Sequence, residues 1–183
     1  MEKRDILVKR VRDARKSQEE AKEEFKTALE RFKTVIDVEG GPLEDKYEKL
    51  DKQLKRAEDR AKEVDDRIRS IKDVSEDLLK EWDKELKQYS DKSLRKESER
   101  ELEATRKRCE SLIKSMEKAQ KKIAPVMAPL RDRVLFLKHN LNAQAIGALD
   151  SELVKVRTDV DALVADLEAS IAEAEQFLEA FKT

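Results

Sequence analysis

Glycine and proline are scarce in this sequence, at three residues each in 183. Sandwiches and barrels of β-strands need many tight turns, and tight turns draw on both residues, so those architectures are excluded. Aromatic residues make up 4%. Cys109 is the single cysteine, so no intrachain disulfide can form. It falls on an apolar stripe and is expected as a buried thiol. His139 is the single histidine. It has no serine or cysteine partner at a recognisable spacing for nucleophilic catalysis. A di-iron bundle needs an E-x-x-H pair on each of two helices, and the sequence contains no E-x-x-H. No catalytic residue, cofactor or metal ligand is therefore expected. No apolar run approaches the roughly 20 residues of a membrane span, and no signal peptide is visible. The helical pattern begins almost at Met1 without a capping segment. An upstream part is expected to have been removed and Met1 added for expression.

Charge is what the sequence has in abundance: 45% of residues are Asp, Glu, Lys or Arg. The 41 basic and 42 acidic side chains leave a net charge of −1, which favours neither nucleic acid nor an anionic surface. Hydrophobic residues make up 38% and recur at alternating spacings of four and three. One stripe runs Leu7, Val11, Ala14, Gln18, Ala21, Phe25. Later stripes include Leu50, Leu54, Ala57; then Cys109, Leu112, Met116; and then Leu149, Leu153, Val156. A heptad held this long predicts helices, about 3–38, 43–89, 93–139 and 143–182. The breakers suit their places. Gly40 and Gly41 can end the first helix in left-handed conformations, and Pro42 suits the start of the second. Ser90 or Ser93 can cap the third.

Connections this short force neighbouring helices to run antiparallel. In such a hairpin, facing residue numbers add to a constant. Phe32 with Leu50, Phe25 with Ala57 and Ala14 with Ile68 obey this for the first two helices. Trp82 with Leu102 and Ile68 with Met116 obey it for the second and third. Leu137 with Ile146 and Met116 with Leu167 obey it for the last two. Three core layers follow: Phe32, Leu50, Val134 and Leu149; Phe25, Ala57, Val126 and Val156; and Ala14, Ile68, Met116 and Leu167. Phe25 opposite Ala57 is the large-against-small match that close packing needs. Gln18, the polar member of its stripe, is assigned to fixing register or reaching water. The fold class is all-α: an elongated, antiparallel up-down-up-down four-helix bundle forming one domain over 1–183. The second helix sets a rod about 70 Å long. The tip between the second and third helices, with Leu86, Tyr89 and Leu94, should protrude.

Charge is unevenly distributed along this architecture. From Lys92 to His139 there are 14 basic and 7 acidic residues, net +7; from Asp150 onward there are 3 basic and 9 acidic, net −6. The heptad-spaced pairs Lys121–Asp161, Lys114–Glu168 and Lys107–Glu175 are expected as flanking ion pairs. The acidic stripe would then neutralise the basic stripe of Arg100, Lys107, Lys114 and Lys121. No aromatics interleave with that stripe to stack on bases, so no nucleic-acid partner is assigned.

Two segments stand out from the heptads. IAPVMAPL places Pro125 and Pro129 inside the third helix, where each removes a backbone hydrogen bond and should bend or loosen it. KHNLNAQAIGAL (138–149) reads first as a corner, because asparagines suit turns and helix caps. One unbroken helix through Gly147 also keeps a helical spacing. The functional reading of the same stretch is a polar recognition surface made of Lys138, His139, Asn140, Asn142 and Gln144.

KRDILVKRVRDARKSQEEAKEEF, LEDKYEKL, SLRKESERELEATRKR and, above all, RDRVLFLKHNLNAQAIGAL resemble a bacterial family of unknown function, domain of unknown function 2959. The resemblance covers nearly the whole chain. It implies an exported, periplasmic or envelope-attached protein, often with a lipoprotein-type signal, and brings no activity, substrate or catalytic residue with it. The resulting expectation is a non-enzymatic scaffold or protein-binding module of the bacterial envelope. Its partner would be an envelope protein or another copy of itself, with membrane contact only through an upstream anchor. The alternative is a small-ligand-binding bundle with its site at the proline-kinked end near His139.

Overall fold

The computed structural model describes residues 2–182 and is all-helical, with no strand among them. Helix α1 spans Lys3–Asp37 and α2 spans Leu43–Glu85, continued by a 3-10 turn at Leu86–Gln88. Helix α3 spans Lys92–Gln120, α4 Ile123–His139 and α5 Ala143–Ala180. Gly40 and Gly41 separate α1 from α2 with φ of 77° and 79°, a left-handed backbone that costs glycine little. Asp91, rather than Ser90 or Ser93, caps α3: its side chain accepts from the amides of Ser93 and Leu94. A carboxylate suits a helix N-terminus, where unpaired amides and the helix dipole both favour negative charge.

The predicted third helix is interrupted. It breaks at Lys121–Lys122, four residues before Pro125. The physical reason lies in Pro125. It has no N–H to give the Lys121 carbonyl, and its ring would crowd that oxygen. A new helix therefore starts at Ile123, placing Pro125 in a first turn whose amides have no intrahelical acceptor in any case. Pro129 remains inside α4.

Polar contacts fix the register. Lys3 meets Glu81, Arg10 donates to the Ser70 carbonyl at 2.9 Å, and Arg60 meets Glu20 at 2.7 Å. Lys46 reaches the Ile36 carbonyl at 2.9 Å. Residue number thus rises on α1 as it falls on α2. Every residue of the three predicted layers is buried, at most 4% exposed, in one apolar cluster drawn from α1, α2, α3, α4 and α5. Truncating a fully enclosed ring such as Phe25 typically costs about 3–5 kcal/mol, so these layers carry much of the stability.

The tip departs from expectation at one residue. Leu86 is buried at 6%, in a second small cluster with Leu79 and Leu102, against which Trp82 packs. The Trp82 indole donates to the Ser98 hydroxyl at 2.9 Å, closing the hairpin on itself. Tyr89 and Leu94 are exposed as predicted.

Gln18 lies wholly buried. Its Oε1 accepts from the Ser170 hydroxyl at 3.1 Å, while its Nε2 has no partner. Leaving a buried amide unpaired costs about 1–3 kcal/mol, whereas removing both polar partners together can be neutral or stabilising. Ser170→Ala should therefore lower unfolding free energy by about 1–2 kcal/mol, and Gln18→Leu combined with Ser170→Ala should recover that loss or exceed it. Urea titrations of both single variants and the double variant check this. A double variant less stable than Ser170→Ala alone would contradict it.

Candidate functional site

The residues singled out from the sequence meet at one corner. Helix α4 ends at His139 and α5 begins at Ala143. Asn140 closes the first helix: its backbone amide donates to the Leu137 carbonyl at 3.2 Å, and its side-chain amide to the Phe136 carbonyl at 3.1 Å. Asn142 caps the second, its Oδ1 accepting from the Ala145 amide at 2.8 Å. The chain turns here and does not run on as a helix through Gly147. Both asparagines thus have structural work, as their turn chemistry implies. Lys138, His139 and Gln144 are exposed and make no side-chain hydrogen bond or ion pair among the described residues. Leu141 between them is 42% exposed.

The nearest concavity is an open groove of about 480 Å³ between α4 and α5, lined by Ala128, Pro129, Asp132, Arg133, Phe136 and Glu152. It reaches Phe136, and His139 is not among its lining residues. Among the described residues, no cluster of His, Cys, Asp or Glu could hold a metal ion. Among the described residues, no helix is long and apolar enough to cross a membrane.

The charged stripes are arranged differently from expectation. Lys107, Lys114 and Lys121 do not pair with Glu175, Glu168 and Asp161. Glu175 instead faces Arg15 of α1 at 3.6 Å, and Glu168 lies near Lys22 of α1, whose amine is held above its ordinary pKa chiefly by its hydrogen bond to Glu19, with a smaller contribution from Glu168. Two α5 carboxylates do reach α3 and its junction with α4: Glu173 accepts from the Ser111 hydroxyl, and Asp166 lies 2.6 Å from Lys122 and 4.0 Å from Lys118, bracketing the α3–α4 break. The reason is rotational. Asp161, Glu168 and Glu175 lie on the α1 side of the stripe containing Leu163 and Leu167, and Asp166 lies on the other.

A feature the sequence reading passed over is the outer face of α4. Leu135 and Phe136 are 56% and 53% exposed, beside exposed Ala124, Pro125 and Ala128. The signal was available in LFL at 135–137, where two apolar residues fall outside the heptad stripe that Leu137 continues.

Cys109 is 2% exposed and stands with Ser75, Leu79, Arg106 and Ile113 along a groove of about 290 Å³ between α2 and α3. Burial first, and then the neighbouring Glu110 carboxylate, push its thiol up to about 11.

A model for a family described as protein of unknown function (DUF2959) matches residues 1–181. Nothing matches among curated proteins, and nothing among solved structures.

The thiol supplies a pH-dependent prediction. A raised native pKa means that the unfolded chain loses this proton first. The contribution is therefore complete below about pH 9 and is lost as pH rises from there towards about 11. The stability difference between the protein and its Cys109→Ala variant should shrink over that window in guanidinium titrations. A difference that stays flat or grows would contradict the burial argument. In the same native state at pH 8, a thiol-specific reagent should modify Cys109 far more slowly than it does the denatured chain.

Proposed function

We propose, for a chain that belongs to the DUF2959 family, a non-enzymatic scaffold or protein-binding module of the bacterial cell envelope. In this reading the helices form an elongated antiparallel up-down-up-down bundle over 1–183. A helix face or tip touches a partner, either an envelope protein or a second copy. The register contacts between α1 and α2, together with the shared apolar cluster, support that topology. The export implied by the family resemblance supports the envelope location.

The observation that carries the reading is the corner at 138–144. Asn140 and Asn142 hold it in a fixed shape, while Lys138, His139, Leu141 and Gln144 face solvent with their polar groups unspent. A rigid turn presenting a cation, an imidazole, an amide and a leucine suits recognition of a complementary protein surface, since exposed polar groups on a well-supported loop cost little to desolvate against matching partners. The open groove beside it does not enclose a small molecule, so the ligand-binding alternative has less to rest on.

Site-specific photo-crosslinking at positions 139 and 144 in native cells tests this. One envelope protein, identified by mass spectrometry, should be captured there and not from position 97 on α3. The capture should fall at least about tenfold in a His139→Ala, Gln144→Ala variant, the order expected when central contacts of an interface are removed. Substrate turnover by the purified protein, abolished by the same double variant, would replace the scaffold reading with an enzymatic one.

A further inference from the structure

The third ridge of the molecule, α3 continued by α4, pairs some of its cations, Arg95 with Glu99, Arg106 with Glu103, and Lys118 and Lys122 with Asp166, but leaves one row without ion pairs. Counted around the helix at about 100° per residue, Arg100, Lys107, Lys114 and Lys121 fall on the side away from buried Cys109, Leu112 and Met116. All four are exposed, and none has a carboxylate within ion-pair distance among the described residues. Of the α5 acids expected to neutralise them, Glu175 faces Arg15 and Glu168 lies near Lys22, both on α1. Along α4 the outer face changes character, to Ala124, Pro125, Ala128, Leu135 and Phe136, and Leu141 follows just past its end. Asp132 is the only acidic residue between Lys121 and His139, against four basic ones.

We infer that this ridge docks side-on against the surface of an anionic phospholipid bilayer, the α3 cations lying over lipid headgroups and the α4 side chains Leu135, Phe136 and Leu141 entering the interface. Charge complementarity identifies the occupant. A flat sheet of negative headgroups matches a straight row of unpaired cations, and a short apolar segment at one end of such a row is what an interfacial helix uses to hold on. Nucleic acid would use the cations but gains nothing from protruding leucines, and the row has no aromatics for base stacking. Insertion is shallow, because the opposite face of α4, with Ile123, Val126, Leu130, Val134 and Leu137, is committed to the core. Lys138, next to Leu141, can keep its ammonium at headgroup level while its stem lies along apolar surface. This contact does not rest on the scaffold reading and needs no anchor upstream.

The test uses the full chain with vesicles of equal parts phosphatidylglycerol and phosphatidylcholine, and with phosphatidylcholine alone. Co-sedimentation should occur with the first and not the second, and should fall when salt rises from about 0.1 M to about 1 M. Lys107→Gln, Lys114→Gln and Lys121→Gln together should weaken binding more than about tenfold, since each lysine near the surface contributes to the attraction. Leu135→Ser with Phe136→Ser should weaken it by a similar factor; both residues are exposed, so circular dichroism should be unchanged. In a Trp82→Phe background, Phe136→Trp fluorescence should shift to the blue on mixed vesicles. Failure to sediment with mixed vesicles overturns the inference, as does sedimentation that neither variant changes. Binding to a DNA duplex that the lysine variant weakens and the serine variant leaves intact also overturns it, making the ridge a nucleic-acid surface. A chain that ignores vesicles yet still crosslinks an envelope protein through position 139 loses this inference and keeps the scaffold reading.

Discussion

A continuous apolar stripe on each long helix, repeated every three or four residues and turned inward, is the constraint on which the rest of the structure depends. Leu7, Val11, Ala14, Ala21, Phe25 and Phe32 on α1 share one buried cluster with residues from α2, α3, α4 and α5. Almost half the chain is charged, and no charged face can hold a helix of this length in place by itself. Exposed ion pairs such as Lys55–Asp51 and Lys80–Glu76 are screened by water and add little. The apolar stripe supplies the stability, and the charges choose among ways of using it. Polar groups inside the cluster are few. Gln18 with Ser170 is one; Glu24, 5% exposed and flanked by Arg31 and Arg56, is another.

The two places where the stripe is disturbed are the two that acquire distinctive surfaces. Pro125 withholds a hydrogen bond from Lys121, so α3 stops and α4 starts afresh with a composition of its own. The inner face of α4 still serves the core, while its outer face exposes Leu135 and Phe136. At the end of α4 the chain turns through Asn140–Asn142, and the side chains not needed for turning face outward. The scaffold and lipid-surface readings both draw on this end of the molecule; they share Lys138 and Leu141, with His139 and Gln144 particular to the first and Leu135 and Phe136 to the second.

Much of this was legible in the sequence. The heptads gave helix positions to within a few residues, and number arithmetic placed Phe32, Leu50, Val134 and Leu149 in one buried set, because the height of a residue along a straight helix follows from counting. Gly40 and Gly41 marked a turn that needs left-handed backbone. The break at Lys121 was missed, although it too follows from a local rule, since a proline disturbs the carbonyl four residues before it rather than its own position. Leu86 was taken as exposed because α1 and α5 do not reach the tip, yet Leu79, Leu102 and Trp82 cover it within the hairpin. The candidate residues 138–144 were found as a group because they depart from the heptad. Which of them cap helices and which face solvent required backbone geometry.

By itself the sequence determined that this chain is helical, where it turns, which residues are apolar enough to be buried and at what height each sits. These depend on local propensity and on spacing, and both are written along the chain. The tertiary structure alone decided which side of each stripe faces which neighbour. Glu168 and Glu175 could equally have met α3 or α1, because the flanks of a heptad are equivalent in number, and only the rotational order in which the helices pack distinguishes them. That order turned Glu168 and Glu175 towards α1 and left Arg100, Lys107, Lys114 and Lys121 facing outward, without ion pairs among the described residues.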